Sequence, residues 1–188
     1  MDLENRELLN PIIKGCRKWE RAAQKELYKA FFRYGMSICL KFSKNEEEAK
    51  EILNDAFIKI FSKLDLYRPE HSFKSWARRI FINASIDYYR KNHKYSNVID
   101  IAEAPLSTIR VEASDNLEKD DILKLVQSLP PSYRIVFTLY VLEGYKHHEV
   151  AEMLDISVGA SKSNLAKAKS KLRTMIQSEN NYYNEKFG

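Results

Sequence analysis

Apolar residues recur at helical spacing along most of this chain, and runs of alternating β-branched residues are few. The cleanest pattern covers residues 46–65. Its stripe consists of Ala49, Ile52, Leu53, Ala56, Phe57, Ile60, Phe61 and Leu64. Only 5 Gly and 5 Pro are present to interrupt helices. The pattern therefore predicts an all-α protein.

The first half of the chain is expected to form three helices, over residues 21–43, 46–65 and 72–92. The inner stripe of the first is Ala23, Leu27, Phe31, Tyr34 and Ile38. That of the third is Ala77, Ile80, Phe81, Ala84 and Tyr88. Asn45 is a candidate N-cap, because three acids follow it in the first helical turn, where the helix dipole favours carboxylates. Residues 5–20 are interpreted as a short polar lead-in.

Residues 96–117 lose the periodicity, and the segment 99–121 carries seven acids against two bases. A short helix is expected to begin near Glu118, followed by an apolar helix that starts at Pro131 or Ser132 and ends at Gly144. We therefore predict two small helical domains joined by a flexible acidic linker. The domains are residues 1–95 and 118–177, the linker is residues 96–117, and residues 178–188 form a frayed or loosely docked tail.

Residues 146–173 have the pattern of two helices joined by a tight turn. The first is expected at 147–154, the turn at 155–157 with Ser157 as N-cap, and the second from Val158 to about Met175. No acid occurs between residues 157 and 177. The bases on the outer faces are Lys162, Lys167, Lys169, Lys171 and Arg173. This suits a polyanion and indicates a DNA-binding helix-turn-helix, although a solvated face of a helical bundle is the competing interpretation.

A second basic segment runs from Tyr67 to Tyr95, with seven bases, two acids and interleaved aromatic residues. Basic side chains follow phosphates and aromatic faces stack on unpaired bases, so this mixture suits opened, single-stranded nucleic acid. One side of its helix collects Trp76, Arg79, Asn83, Asp87 and Arg90. For Phe73 and Trp76 a core position is the alternative.

Composition narrows the function classes. The net charge is +5 and the pI is about 9.0. There is no apolar run that could span a bilayer and no signal peptide, so we expect a cytoplasmic protein without membrane insertion. Cys16 and Cys39 lack metal-site spacing and are interpreted as small buried thiols. Without a P-loop, nucleophile motif or carboxylate cluster, we expect no enzyme activity, cofactor or metal.

The ordered set of segments NDAFIKIFSKL, SFKSWARRIFINASIDYYRK, an acidic linker, SLPPSYRIVFTLYVLEGYKHHEVAEML and SVGASKSNLAKAKSKLR resembles bacterial sigma factors of the extracytoplasmic-function (ECF) type, the minimal members of the sigma-70 family. The resemblance covers residues 20–176 approximately. It implies two domains, region 2 and region 4, that bind core RNA polymerase and recognise the −10 and −35 promoter elements, with region 2 assisting −10 melting.

The resemblance also implies roles for particular residues. Those expected to bind the clamp coiled coil of the largest polymerase subunit are Glu51, Asn54, Asp55, Phe57, Ile58 and Lys59. Those expected at the −10 element are His71, Ser72, Phe73, Lys74, Trp76, Arg79, Asn83, Asp87, Arg90 and Lys91. Those expected in the −35 major groove are Ser161, Lys162, Ser163, Asn164 and Lys167. Region 4 would also bind the flap of the second-largest subunit, and the family makes an anti-sigma factor plausible as a regulator.

Some positions depart from the family pattern. Asn164 and Lys169 replace common arginines, so a different −35 preference is expected, because Asn pairs with adenine. Lys146 replaces a frequent Ser or Thr cap, and Asp155 replaces a frequent turn glycine.

A free-standing regulator that binds operators through the helix-turn-helix is the alternative function. It would leave unexplained the basic helix that contains Trp76 and the apolar residue Ile58, which lies off the apolar stripe beside Asn54 and Asp55.

Overall fold

The computed structural model describes the backbone of residues 6–93 and 119–187 and the side chains of residues 7–92 and 121–177. Within these ranges the secondary structure is helical and contains no strand. The chain forms two compact units, residues 1–88 and 89–188. The prediction of an all-α protein with two helical domains is confirmed. The predicted linker, residues 96–117, lies outside the described residues.

In the described part of the chain, four helices build the first unit and four the second. The first four are α1 (Arg6–Arg17), α2 (Arg21–Phe42), α3 (Glu46–Ser62) and α4 (Phe73–His93), with a 3-10 turn at Leu64–Leu66 after α3. The second four are α5 (Lys119–Gln127), α6 (Pro131–Phe137), α7 (His147–Leu154) and α8 (Val158–Phe187). The unit boundary at Tyr88 falls within α4.

The interpretation of residues 5–20 as a lead-in is wrong, because most of the segment forms α1. Leu9, Ile13 and Cys16 lie four and three residues apart and are buried. A Cβ added to Gly15 would come within 2.6 Å of the Cβ of Ala23, so α1 and α2 touch at this glycine. The three apolar positions are a weak signal among polar neighbours, and packing on α2 stabilises the helix.

Aromatic and aliphatic side chains of α2, α3 and α4 form the core of the first unit. Leu27, Phe31, Leu53 and Phe81 are each completely buried. Gly35 is required at their centre, since an added Cβ would lie 2.5 Å from Leu53 and 2.8 Å from Phe81. No larger side chain fits there without repacking.

The predicted inner face of α4 is partly wrong. Ile80 and Tyr88 are half-buried, whereas Ile82, Ser85 and Ile86 are buried. The buried surface of α4 is therefore wider than the single stripe that the periodicity indicates. Ser85 is accommodated because its hydroxyl donates to the Phe81 carbonyl at 2.9 Å.

Local capping sets the start of α3 as predicted. The Glu48 N–H donates to Asn45 Oδ1 at 2.9 Å, and the Glu48 carboxylate accepts from the Lys44 N–H at 2.8 Å. These two bonds satisfy backbone donors at the helix start. The helix ends at Ser62, three residues before the predicted end at residue 65.

The second unit is organised around α6, whose continuation widens into a π-helical turn at Thr138–Leu142. Gly144 has φ of +80°, in agreement with its predicted role as the terminating residue. The backbone of α8 continues to Phe187, beyond the predicted end near Met175 and through most of the predicted tail.

Candidate nucleic-acid and polymerase interfaces

The turn between α7 and α8 is stabilised by local hydrogen bonds. Asp155 adopts the left-handed conformation (φ 56°, ψ 49°), and the Ile156 N–H donates to the Ala151 carbonyl at 3.0 Å. Ser157 Oγ accepts from the Ala160 N–H at 3.0 Å and caps α8. Val150 lies among the buried residues of α7. The predicted pair of helices and its three-residue turn are confirmed.

The backbone N–H at the start of α7 finds a hydrogen-bond acceptor without a Ser or Thr cap. The Lys146 N–H donates to the Glu149 carboxylate at 2.7 Å. The His147 ring stacks on Tyr140 with a centroid separation of 4.3 Å, and its Nδ1 lies 2.9 Å from Ser161 Oγ. His147 therefore joins α7 to the π-helical turn that follows α6 and to α8, as a structural residue.

The hydroxyl of Ser161 faces the interior, which corrects its predicted role in DNA contact. Its side chain is completely buried, on the same face of α8 as Leu165 and Ala168. The interaction with His147 occupies its Oγ. A residue on this inner face cannot enter a DNA groove while the helix-turn-helix stays folded, so we remove Ser161 from the predicted DNA-binding set.

The opposite side of α8 carries the other predicted −35 residues. Lys162, Ser163 and Lys167 are exposed and Asn164 is half-buried. The Lys167 Nζ lies 5.9 Å from the ring centroid of Tyr133, which places this ammonium over an aromatic face. Because residues 157–177 contain no acid, nothing within this stretch offsets the positive charge of the exposed face.

The outer surface of α3 combines polar residues with one exposed apolar side chain. Glu51, Asn54 and Asp55 are exposed, and Ile58 is 66% exposed. Phe57, in contrast, is 3% exposed, and its ring lies 5.6 Å from that of Phe81. The expectation that Phe57 contacts the polymerase is therefore corrected, since this side chain belongs to the core.

Two residues of the α3 surface are held by neighbouring helices. The Tyr28 hydroxyl donates to Asn54 Oδ1 at 3.3 Å. Lys59 Nζ donates to Asp87 Oδ2 at 2.7 Å. The structure thus brings together a residue predicted to bind polymerase and one predicted to bind DNA. No local sequence pattern signals this pair.

The loop between the 3-10 turn and α4 carries His71 and Ser72, both exposed. The Ser72 Oγ accepts from the Ser75 N–H at 3.3 Å, and its carbonyl accepts from the Trp76 N–H at 3.0 Å, so Ser72 caps α4. The Tyr67 hydroxyl donates to the His71 carbonyl at 2.8 Å. The loop is thereby closed on itself through one aromatic side chain.

Phe73 supports this loop from inside, which corrects the expectation that it holds a base. It is 4% exposed, with its ring 5.0 Å from Tyr67, 5.1 Å from Phe31 and 5.3 Å from Trp76. Trp76 is half-buried and packs on the same cluster. The alternative that these two residues belong to the core is therefore correct for Phe73. Trp76 packs on the core but stays partly exposed.

The remaining predicted −10 residues lie along α4. The exposed ones are Arg79, Asn83, Asp87, Arg90 and Lys91. Lys74 is half-buried, with its Nζ 5.5 Å from the ring centroid of Tyr34. The exposed set contains three bases and one acid, and Lys59 pairs with that acid, so the surface stays cationic.

Sequence reasoning missed Arg17, the last residue of α1. Its Nε and Nη2 donate to the Leu64 carbonyl at 3.3 and 3.1 Å, and Nη2 donates to the Tyr67 carbonyl at 2.9 Å. The pattern of residues 5–20 predicts a polar lead-in, which gives Arg17 no role. A base at the end of an amphipathic stripe was the only available signal.

Both cysteines are buried and free, as predicted. Burial raises the pKa of the Cys16 thiol to about 11, and burial likewise raises the pKa of Cys39 to about 12. They are protonated near neutral pH and are poor nucleophiles there.

Within the described ranges, no cluster of three or more His, Cys, Asp or Glu residues could hold a metal ion. None of the described helices has the length and apolar character needed to cross a bilayer.

Comparisons with known proteins agree with this architecture. A sequence model of sigma-70 region 2 matches residues 27–95, and one of sigma-70, region 4 matches residues 119–172. The ECF sigma factor SigW of Bacillus subtilis is 24% identical over 186 residues, covering 90% of this chain and 97% of SigW. SigM of the same organism is 26% identical over 153 residues, covering 80% of this chain and 93% of SigM.

A third relative and two solved structures extend the comparison. SigE of Mycolicibacterium smegmatis is 26% identical over 148 residues, and the chain spans 56% of its length and matches over 74% of its own. RpoE of Bartonella quintana, crystallised with the anti-sigma factor NepR, has a TM-score of 0.49 at 18% identity, covering 81% of this chain and 96% of RpoE. CnrH, solved with the cytosolic domain of CnrY, has a TM-score of 0.47 at 20% identity, covering 94% and 99%.

Two region models match in the family's order, on two helical units of which the second contains a helix-turn-helix, and several full-length relatives are ECF sigma factors. The chain belongs to the sigma-70 family as a sigma factor of the extracytoplasmic-function type, a transcription initiation factor that works with RNA polymerase and is not an enzyme.

Proposed function

We propose that this chain binds core RNA polymerase, directs it to promoters with a −35 and a −10 element, and assists melting at the −10 element. The observation that carries the proposal is the exposed, acid-free face of α8 directly after a capped three-residue turn. Its action belongs in the cytoplasm of a bacterium, where the polymerase and the promoter are found.

The −35 element would be read by the first turns of α8. The outward side of these turns carries Lys162, Ser163, Asn164 and Lys167. The amide of Asn164 can pair with the N6 and N7 edge of adenine, and the lysines suit guanine or phosphate. The family resemblance implies an Arg where this chain has Asn164, so we expect a −35 preference with an adenine contact.

The −10 element would be bound by the loop of residues 68–72 and the outer face of α4. His71 and Ser72 are exposed at the end of this loop, and the half-buried Trp76 follows one helical turn after Ser72. An unpaired base held there would be close to aromatic rings and to Arg79 one turn further along. Arg90, further along α4, adds charge suited to phosphates.

Core polymerase would dock on the outer surface of α3. Ile58 is the main support, because a 66% exposed isoleucine between polar residues is costly to hydrate and gains from a partner. Asp55 and Asn54 flank it with groups that can pair with basic or amide side chains. The clamp coiled coil of the largest subunit is the proposed partner of this surface, and the flap of the second-largest subunit that of region 4.

Affinity for purified core polymerase, followed by transcription from a promoter library, tests the proposal. We expect tight binding and start sites that share two spaced elements. Absence of polymerase binding, together with tight and specific retention of duplex DNA by the chain alone, would instead support a free-standing regulator. A binding assay at two salt concentrations separates specific retention from simple charge attraction.

A further inference from the structure

We propose that Arg17 is a positioning residue for the −10 loop, residues 68–72. Its guanidinium would hold the backbone at the start of this loop, so that the loop keeps the orientation that reads the −10 element. This inference rests on the proposed role of the loop in −10 recognition. In this proposal Arg17 acts through the backbone carbonyls that it binds and makes no contact with DNA itself.

The geometry around Arg17 is that of a fork holding two carbonyl groups. Nε and Nη2 both donate to the Leu64 oxygen, and Nη2 also donates to the Tyr67 oxygen at 2.9 Å. Leu64 is the first residue of the 3-10 turn that follows α3, and Tyr67 is the residue directly after this turn. The planar guanidinium can bind both acceptors at once, which a lysine ammonium on a flexible stem does less well.

The ion pair with Asp65 contributes less than these bonds. The Arg17 Nε lies 3.7 Å from Asp65 Oδ1, and the Asp65 side chain is 87% exposed. Solvent screens such a pair strongly. The carbonyl bonds are partly buried and connect residues 47 and 50 positions apart. We therefore assign the positioning role to the carbonyl bonds.

Tyr67 transmits this anchoring to the loop. Its side chain is 4% exposed, and its hydroxyl donates to the His71 carbonyl at 2.8 Å. Arg17 thus holds the backbone of Tyr67, and Tyr67 holds the backbone of His71. The proposed base-binding residues His71 and Ser72 sit at the far end of this connection, so a shift of Tyr67 would move them.

Substitution of Arg17 should impair discrimination among −10 sequences. We expect Arg17→Ala and Arg17→Lys to reduce the preference for the best −10 sequence over single-base variants about tenfold, an effect of the size of one lost hydrogen bond to a charged group. Affinity for core polymerase and for a −35 duplex should be unchanged. Arg17→Lys keeps the charge and the aliphatic stem, and so guards against loss of the fold.

The measurement is the ratio of open-complex formation on the preferred promoter to that on promoters with one substituted −10 base. This ratio does not depend on how much of the protein is folded, so a merely structural role for Arg17 would leave it unchanged. Two matched controls are available. Lys18→Ala removes the exposed basic side chain next to Arg17, and Asp65→Asn removes only the ion pair. Both should retain the ratio. His71→Ala serves as the positive control within the loop.

Three outcomes would overturn the inference. If His71→Ala flattens the ratio while both Arg17 variants keep it, the loop reads the −10 element without help from Arg17, and the proposed function stands. If no variant, His71→Ala included, changes the ratio, the proposed role of the loop fails as well. If the Arg17 variants lose polymerase binding and discrimination stays intact, Arg17 supports the fold of region 2 instead.

Discussion

The ammonium of Lys59 on α3 lies 2.7 Å from the carboxylate of Asp87 on α4, 28 residues later in the chain. This ion pair connects the surface proposed for polymerase binding to the helix proposed for the −10 element. Asp87 is the one acid within the described exposed set along α4. Lys59 therefore offsets a negative charge that would otherwise repel phosphates.

Breaking this pair should change DNA binding more than stability. The two side chains are 34% and 57% exposed, so a double-mutant cycle of Lys59→Met and Asp87→Asn should give a coupling of about 0.2–1 kcal/mol in urea unfolding. Lys59→Met alone should weaken promoter binding at low salt, because Asp87 is left uncompensated. Lys50→Met, near the start of α3, is the matched control. Equal promoter affinity of wild type and Lys59→Met at low salt would contradict this role.

The double variant Lys162→Ala with Lys167→Ala should abolish −35 recognition and spare polymerase binding. Each lysine that meets a phosphate contributes about 0.9 to the slope of log affinity against log salt. The slope for a −35 duplex, measured with the polymerase complex, should therefore fall by about 1 to 2. Arg173→Ala, further along α8, is the control expected to change it less. Wild-type transcription by the double variant would exclude this face of α8 from −35 recognition.

Asp55→Arg should weaken binding to core polymerase and leave region 2 folded. Asp55 is exposed beside Ile58, so the change reverses a charge at the proposed contact without entering the core. Titration of labelled protein against core polymerase measures the effect. Glu47→Arg makes the same charge change in the first turn of α3 and should retain most of the affinity. Equal affinities of Asp55→Arg and wild type would remove Asp55 from the interface.

Asp155 holds the turn of the helix-turn-helix in a conformation that favours glycine. With φ of 56°, a residue with a Cβ is strained, and Asp tolerates this better than most. Asp155→Val should lower the free energy of unfolding by about 1–2 kcal/mol. Asp155→Gly should change it by less than about 1 kcal/mol, since relief of strain offsets the larger entropy of the unfolded chain. Chemical denaturation of the two variants compares them directly, and equal destabilisation would argue against strain at this residue.

The buried thiols should react slowly in the folded state. Since burial raises the pKa of Cys16 from 9.0 to about 11, its thiolate fraction at pH 8 falls roughly a hundredfold relative to the unfolded chain. Cys39, whose pKa is raised to about 12, should react more slowly still. Timed labelling with a thiol reagent and peptide mapping measures both rates, with the denatured chain as control. Fast labelling of Cys39 in the folded protein would contradict its burial.

The same shifts predict the direction of the alkaline pH dependence. The folded pKa of each thiol is above its unfolded value of 9.0, so the folded chain keeps the proton when the unfolded chain has lost it. The contribution to stability is fully present below pH 9 and decreases as the pH rises towards 11 and 12. Urea midpoints measured from pH 8 to 10.5 should therefore fall, and replacement of both cysteines by Ala should make the fall less steep.

The sequence by itself determined the features that depend on near neighbours. The caps at Asn45 and Ser157, the stop at Gly144 and the three-residue turn all occur where the pattern predicts them. Each depends on backbone groups within a few residues, which is the range that local patterns report. The apolar stripe over residues 49–64, which covers α3 and the first residue of the 3-10 turn, is strong enough to predict the buried face, since all but one of its eight positions are buried.

Only the tertiary structure decided the contacts between distant segments. Arg17 reaches carbonyls 47 and 50 residues away, and Lys59 pairs with a residue 28 positions later. The weak stripe of α1 becomes a helix because α2 covers it, and the His147 contact that holds Ser161 inward depends on the angle between two helices. Periodicity reports which face of a helix is apolar, whereas the partner of a polar side chain depends on how separate helices pack.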